Sequence, residues 1–205
     1  MAIVAALCAM GAGPAWSQVA PGLKDNPAEQ ARSQALINAV EGAGQAFTVE
    51  PSGVVIHNQS GMACVPGAEK LRLMGLLVNS AADVGCDYVI PDGKISVFAM
   101  RAQGRTLQTL AAAAGVAIGK TFPGAQPVTG PLTATYPGLS TPMAGSFSVT
   151  VGGKPAITSV WLAKEGDWLI EERATYPAAS RHDPELLASI QLAMTQKVIH
   201  NHAGH

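Results

Sequence analysis

The stretch Ser146–Pro177, SFSVTVGGKPAITSVWLAKEGDWLIEERATYP, decides the fold. Phe147, Val149 and Val151 alternate with Ser146, Ser148 and Thr150, the two-residue period of a strand with one wet face. Gly152-Gly153-Lys154 turns the chain into Ala156–Ala163, and Lys164-Glu165-Gly166-Asp167 turns it into Trp168–Tyr176. Three strands joined by tight turns make an antiparallel meander. Trp161, Trp168 and Tyr176 are expected to close its core and rim; an aromatic ligand surface is the other reading. Glu171, Glu172 and Arg173 read as a wet strand edge, with a recognition patch as the alternative.

Outward from the meander, Asp183-Pro184-Glu185 starts a final helix, with Leu186, Leu187, Ile190, Met194 and Ile199 expected to pack across the sheet. Upstream, Phe122–Gly145 holds prolines at 123, 127, 131, 137 and 142, which predicts a loop or irregular excursion over 122–145. Gln103–Thr121 carries Leu107, Leu110, Ala111, Ala114 and Ile118 at helical spacing. Before it, Val84–Ile90 and Lys94–Met100 join through Pro91-Asp92-Gly93 as a hairpin, with Val84, Cys86, Tyr88 and Ile90 on one apolar face. Leu71–Val78 is a strand apolar on both faces, and Phe47–Glu50 and Val54–His57 flank a Pro-Ser-Gly turn. Asn26-Pro27-Ala28-Glu29 opens a first helix with an alanine-rich stripe from Ala28 to Ala43. Strand groups separated by helices predict an α+β fold, an antiparallel β-sheet covered by helices.

With 205 residues, 48% of them hydrophobic and a formal charge of −1, the chain fits one globular domain. No basic tract is present and only 5% of residues are aromatic, so nucleic acid is excluded as a partner. Ile3–Ala12 is an apolar run too short to span a bilayer, followed by Ala15-Trp16-Ser17 with small residues at −3 and −1. Residues 1–17 therefore read as a signal peptide, although the basic n-region is missing. Residues 18–26 then form a flexible mature N-terminus, 27–199 a single domain and 200–205 a histidine-containing tail. Periplasmic or secreted localisation follows, with no integral membrane span after processing. Removal of Cys8 with the leader leaves Cys64 and Cys86, 22 residues apart, as one expected disulfide.

From Lys94 to Lys197 the order strand, helix (RTLQTLAAAAG), irregular crossing, meander, helix (DPELLASIQLAM) resembles Mog1/PsbP-like or DcrB-like domains. SGMAC, DVGCDYVIPDG and WLIEERATYP are similar to phrases in uncharacterised secreted proteobacterial proteins. The resemblance implies the α+β architecture and carries no catalytic signature.

The motifs of common chemistries are missing. Ser60 stands in Asn58-Gln59-Ser60-Gly61 rather than in a Gly-x-Ser-x-Gly elbow. Gly119-Lys120-Thr121 lacks the upstream glycine of a phosphate loop, since Ala114 stands there. Asp83 and Asp87, about 13 Å apart on an extended strand, are too far apart for a glycosidase pair. Hence no catalytic and no cofactor-binding residue is assigned, and no cofactor is expected. No metal site is assigned either; His200, His202 and His205 are the grouped imidazoles that could chelate a metal opportunistically. Recognition is expected on the proline-rich excursion, through Pro131, Thr133, Thr135, Tyr136, Pro137 and Met143. The function that fits is an exported noncatalytic binding or accessory protein of the bacterial cell envelope, partnered by an envelope protein or small ligand. The alternatives are an envelope hydrolase whose site assembles only in three dimensions, and a purely structural accessory domain.

Overall fold

The computed structural model describes residues 24–68 and 70–203. The expected leader 1–17 with Cys8, most of the 18–26 stretch, and His205 lie outside the described residues.

The meander is the centre of the molecule. Strands β9 (Met143–Val151), β10 (Lys154–Glu165) and β11 (Trp168–Pro177) pair antiparallel, with Thr158 opposite Phe147 on one side and Thr175 on the other. On the far side of β11 lies β7 (Gly93–Arg101), then β6 (Asp83–Ile90), β5 (Leu71–Ser80) and the two-residue β4 (Gly67–Ala68). A short β8 (Gln126–Val128) pairs antiparallel alongside β9, so the order is β4-β5-β6-β7-β11-β10-β9-β8. A second sheet contains β1 (Phe47–Val49), β2 (Val55–His57) and β3 (Ala63–Cys64). The fold is α+β, as its sequence predicts.

β11 lies between β7 and β10, and this corrects the reading of Glu171–Arg173 as a wet edge. Glu171 and Glu172 are both buried. Three polar residues in a row are an edge signal locally, but β7 and β10 pair with β11 on its two sides and override it.

Helices cover both sheet faces. Thr106 caps α3 (Leu107–Thr121) in a reciprocal pair with Thr109, and the helix lays Leu110, Ala114 and Ile118 on Val160, Leu162 and Leu169. On the other face, α4 (His182–Ala203) lies across β10, β11 and β7. It runs through the segment read as a tail, because its last turn packs on the loop after β2: a side chain at Gly61 would meet the His202 ring. Asn26 caps α1 (Pro27–Asn38), accepting from the Glu29 N–H, and a four-residue α2 (Ala43–Ala46) follows. The buried positions of α1 are Ser33 and Ile37, not an alanine stripe, since Ser33 Oγ donates to the Gly53 carbonyl at 2.6 Å.

Cys64 of β3 and Cys86 of β6 are disulfide-bonded with Cα atoms 5.9 Å apart, tying the small sheet to the large one. Cys86 shares its buried face with Val84, Tyr88 and Ile90, the face read from the alternation. Trp161, Trp168 and Tyr176 are buried in the same core, which settles them as core residues.

Candidate functional site

The rotation of α4 about its axis creates the surface of interest. Ala188, Leu192 and Ile199 face the sheet, and Leu187 packs beside them. Leu186, Ile190 and Met194, expected to pack inward, instead point out, 40–41% exposed. Spaced four apart, they form one ridge on the helix. Meanwhile Glu185, Ser189, Gln191, Thr195 and Gln196 are buried. The helix thus buries a polar face beside its apolar core face and leaves an apolar ridge exposed.

The segment 129–142 explains the buried polar face. It lies over α4 as a strap, and three of the buried polar groups, Glu185, Ser189 and Gln196, are among its anchors. Arg181 donates to the carbonyls of Thr129 and Gly130 at 2.7 and 2.8 Å. Glu185 accepts from the Leu132 N–H at 2.9 Å, and from Tyr176 Oη and Arg181 Nε, both at 2.6 Å. Trp161 Nε1 donates to the Leu132 carbonyl at 3.0 Å. Ser189 Oγ accepts from the Ala134 N–H at 2.7 Å. At the far end Glu165 Oε1 accepts from the Ser140 N–H and from Gln196 Nε2, at 2.8 and 2.9 Å, and Gln196 also donates to the Ser140 carbonyl. Positions 185, 189 and 196 share one helical face, so each anchor satisfies strap main chain that would otherwise lie unpaired over the core.

Between the anchors the strap bows away and leaves a groove of about 380 Å³, lined by Tyr136, Pro137 and Leu139 on one wall and Ile190, Ala193, Met194 and Lys197 on the other. Of the six residues expected to recognise a partner, the structure brings Tyr136 and Pro137 into this groove. Thr133 Oγ1 instead donates to the Pro131 carbonyl within the strap. Thr135 is exposed nearby, and Met143 begins β9 opposite Leu162, outside the groove lining. Sequence reasoning missed Leu139, Ile190, Ala193, Met194 and Lys197; an unusual density of Glu, Ser and Gln on one side of α4 was the available signal.

The histidines have other neighbours. His200 Nδ1 lies 3.1 Å from Glu165 Oε2, and His202 lies on Gly61. Among the described residues no three His, Cys, Asp or Glu side chains form a metal-holding group. His57 is inside the core, edge-on to Phe47 and Trp168. Ser60 Oγ donates to its Nδ1 at 2.7 Å, and its Nε2–H donates to the Ala81 carbonyl at 3.0 Å. That is the separation of a nucleophile–base pair, but both residues are 0% exposed and the second ring nitrogen is occupied by main chain rather than by a carboxylate. The pair joins the small sheet to the turn after β5 and offers no approach to a substrate.

On the face away from α4, Asp87, Ser96 and Arg173 form a polar row across β6, β7 and β11, with Ser96 donating to Asp87 and Arg173 to Glu171. Burial raises the Glu171 carboxyl above its ordinary range, partly offset by Arg173.

No family model matches the chain. No curated protein matches it either, and the Mog1/PsbP-like or DcrB-like resemblance expected from the sequence is not shown by any comparison. Two solved structures share limited likeness. PA94 of Pseudomonas aeruginosa, a protein of unknown function, is 12% identical over 71% of this chain and 94% of its own, at a TM-score of 0.36. LpqN of Mycobacterium tuberculosis, involved in cell envelope biogenesis, is 13% identical over 64% of this chain and 78% of its own, at a TM-score of 0.37. Neither likeness bears on what the groove holds.

Glu172 is the one carboxyl inside the core with neither oxygen hydrogen-bonded among the described residues. It lies between Val97 and Trp161 on the α4 face, and burial pushes its pKa well above the ordinary 4.5. The folded state therefore holds a proton that the unfolded chain releases above pH 4.5. Stability from this group is fully present below that pH and is lost as pH rises toward the folded value. His57 has the opposite sign: burial lowers it from 6.5, so its contribution is lost as pH falls below 6.5. Urea unfolding across pH should show Glu172→Gln flattening the decline on the alkaline side. Glu172→Met should be more stable than the parent at neutral pH by about 1–3 kcal/mol, by removing an unpaired buried polar group. A destabilised Glu172→Met would contradict this assignment.

Proposed function

We propose that this chain is an exported, noncatalytic binding protein of the bacterial cell envelope that receives an apolar segment of a partner protein in the strap–α4 groove. The observation that carries the reading is the outward pair Ile190 and Met194 lining a groove with Tyr136 and Pro137, with Leu186 exposed one turn further along the same ridge. Three large apolar side chains held on a helix whose polar groups are committed inward form a rigid surface that loses little entropy on binding. Lys197 at one end adds a cation for an acidic flank of the partner.

Export is supported by the leader-like start and by the Cys64–Cys86 bond, which belongs in an oxidising compartment. No described helix is long and apolar enough to cross a membrane. Fractionation of the native host with N-terminal analysis should find the protein outside the cytoplasm, beginning near Gln18; an unprocessed cytosolic chain would overturn export. For the groove, Ile190→Glu/Met194→Glu should leave the melting temperature nearly unchanged, because both side chains are already substantially exposed. The same variant should lose at least tenfold of the complex recovered by crosslinking in envelope extracts. Undiminished recovery would place recognition elsewhere.

A further inference from the structure

A second concavity lies on the opposite sheet face, at the far end of α3. Its volume is about 550 Å³, within the range of small-molecule sites. The floor and walls are apolar: Ala156 of β10, Val151 of β9, Pro155, and Phe122, which ends α3. Val151 is 45% exposed, so the pocket leaves apolar surface uncovered. The strand ends that build it meet closely. A side chain at Gly93 would come within 2.2 Å of the Thr175 carbonyl, so glycine keeps that wall at main-chain thickness. The Thr175 hydroxyl is already bonded to Thr158 at 3.1 Å, and offers a ligand little.

Charge on this pocket is confined to its rim. Lys94 and Lys154 stand there with Asp92, and neither lysine forms an ion pair among the described residues. Asp92 is two residues from Lys94 and offsets it in part. Lys154, at the β9–β10 turn beside Val151 and Pro155, is the cation without a nearby acid on the rim. Lys94 and Lys154 lie two strands and four residues apart in register, about 16 Å between backbones, too far for both to grip one small anion. An apolar trough with a cation at its lip is complementary to an elongated molecule with one anionic end.

We infer that this pocket binds an amphipathic carboxylate, a medium-chain fatty acid in class, with its head at Lys154 and its chain along Ala156, Val151 and Phe122. The site is separate from the strap–α4 groove and does not depend on it.

Amide chemical-shift titrations of the full mature chain test the assignment, with decanoate, acetate, decyl maltoside and decyltrimethylammonium as probes below their micelle concentrations. Decanoate should saturate, with shifts centred on residues 93–94, 122, 151–154, 156 and 175–176. Acetate lacks the chain, and decyltrimethylammonium carries the wrong charge, so each should bind at least fivefold more weakly. Lys154→Gln should weaken decanoate two- to fivefold, the scale of one exposed ion pair, and leave decyl maltoside unchanged. Lys94→Gln should have the smaller effect. Val151→Asp should weaken both decanoate and decyl maltoside. Shifts centred on Ile190 and Met194, equal affinity for the cationic amphiphile, or failure of decanoate to saturate would each overturn the proposal.

Discussion

Glu185→Ala is expected to destabilise the protein by about 3 kcal/mol and to free the strap from α4. Glu185 is buried and accepts from three donors at once: Arg181, the Tyr176 hydroxyl and the Leu132 N–H. Removing it leaves a guanidinium, a phenol and a main-chain N–H without their acceptor, and loss of one member of a buried ionic network generally costs about 3–5 kcal/mol. Arg181 is 29% exposed and can recover some water, which places the value at the low end. The Tyr176 hydroxyl also contacts Ser159 Oγ, so the disturbance spreads to the Ser159–Ser146 pair beneath. Urea unfolding gives the energy, and hydrogen exchange at Leu132 and Ala134 reports the strap. Glu185→Gln retains an acceptor and should lose less. A loss under 1 kcal/mol with both amides still protected would show that the strap is held by something else.

Removing the Cys64–Cys86 bond should cost about 2–4 kcal/mol. It closes a 22-residue loop in the unfolded chain, and in the folded protein it is a covalent tie between β3 of the small sheet and β6 of the large one. Both cysteines are 0% exposed, so alanine at each position adds a small cavity to the lost constraint. Nonreducing peptide mapping should join the two cysteine peptides in protein isolated from its native compartment. The Cys64→Ala/Cys86→Ala variant should unfold at lower urea. Free thiols in freshly isolated material, or a double variant as stable as the parent, would contradict the assignment.

The meander and the Val84–Ile90 face were legible because strand alternation and glycine turns are local signals: every second residue from Val84 to Ile90 is buried as the period requires. Glu172 was misread because, although the β10–β11 hairpin was legible, the neighbour that makes β11 interior is β7, whose Val97 pairs with Glu172 from far upstream in the sequence. The face of α4 was misread for a related reason. Leu186, Ile190 and Met194 satisfy the apolar spacing of a core helix, yet Glu185, Ser189 and Gln196 face inward because the strap's main chain needs partners there. Helical periodicity identifies a stripe, but it does not say which neighbour covers it. The excursion itself was located by its prolines, and Tyr136 and Pro137 do line the groove. Its anchors could not be read, since each joins residues 25 to 56 positions apart.

Position-specific photocrosslinking in the native cell envelope distinguishes the strap–α4 groove from other surfaces as the place where a partner binds. A photoreactive residue at Ile190, Met194 or Tyr136 should give a discrete adduct with one partner protein, suppressed by a Leu186→Glu change one turn along the same ridge. The same probe at Val116 on α3 or Met74 on β5, both exposed and remote from the groove, should give none. Adducts of equal yield at Val116 and Met74, or none at the three groove positions in a folded, exported protein, would show that the groove is not the binding surface.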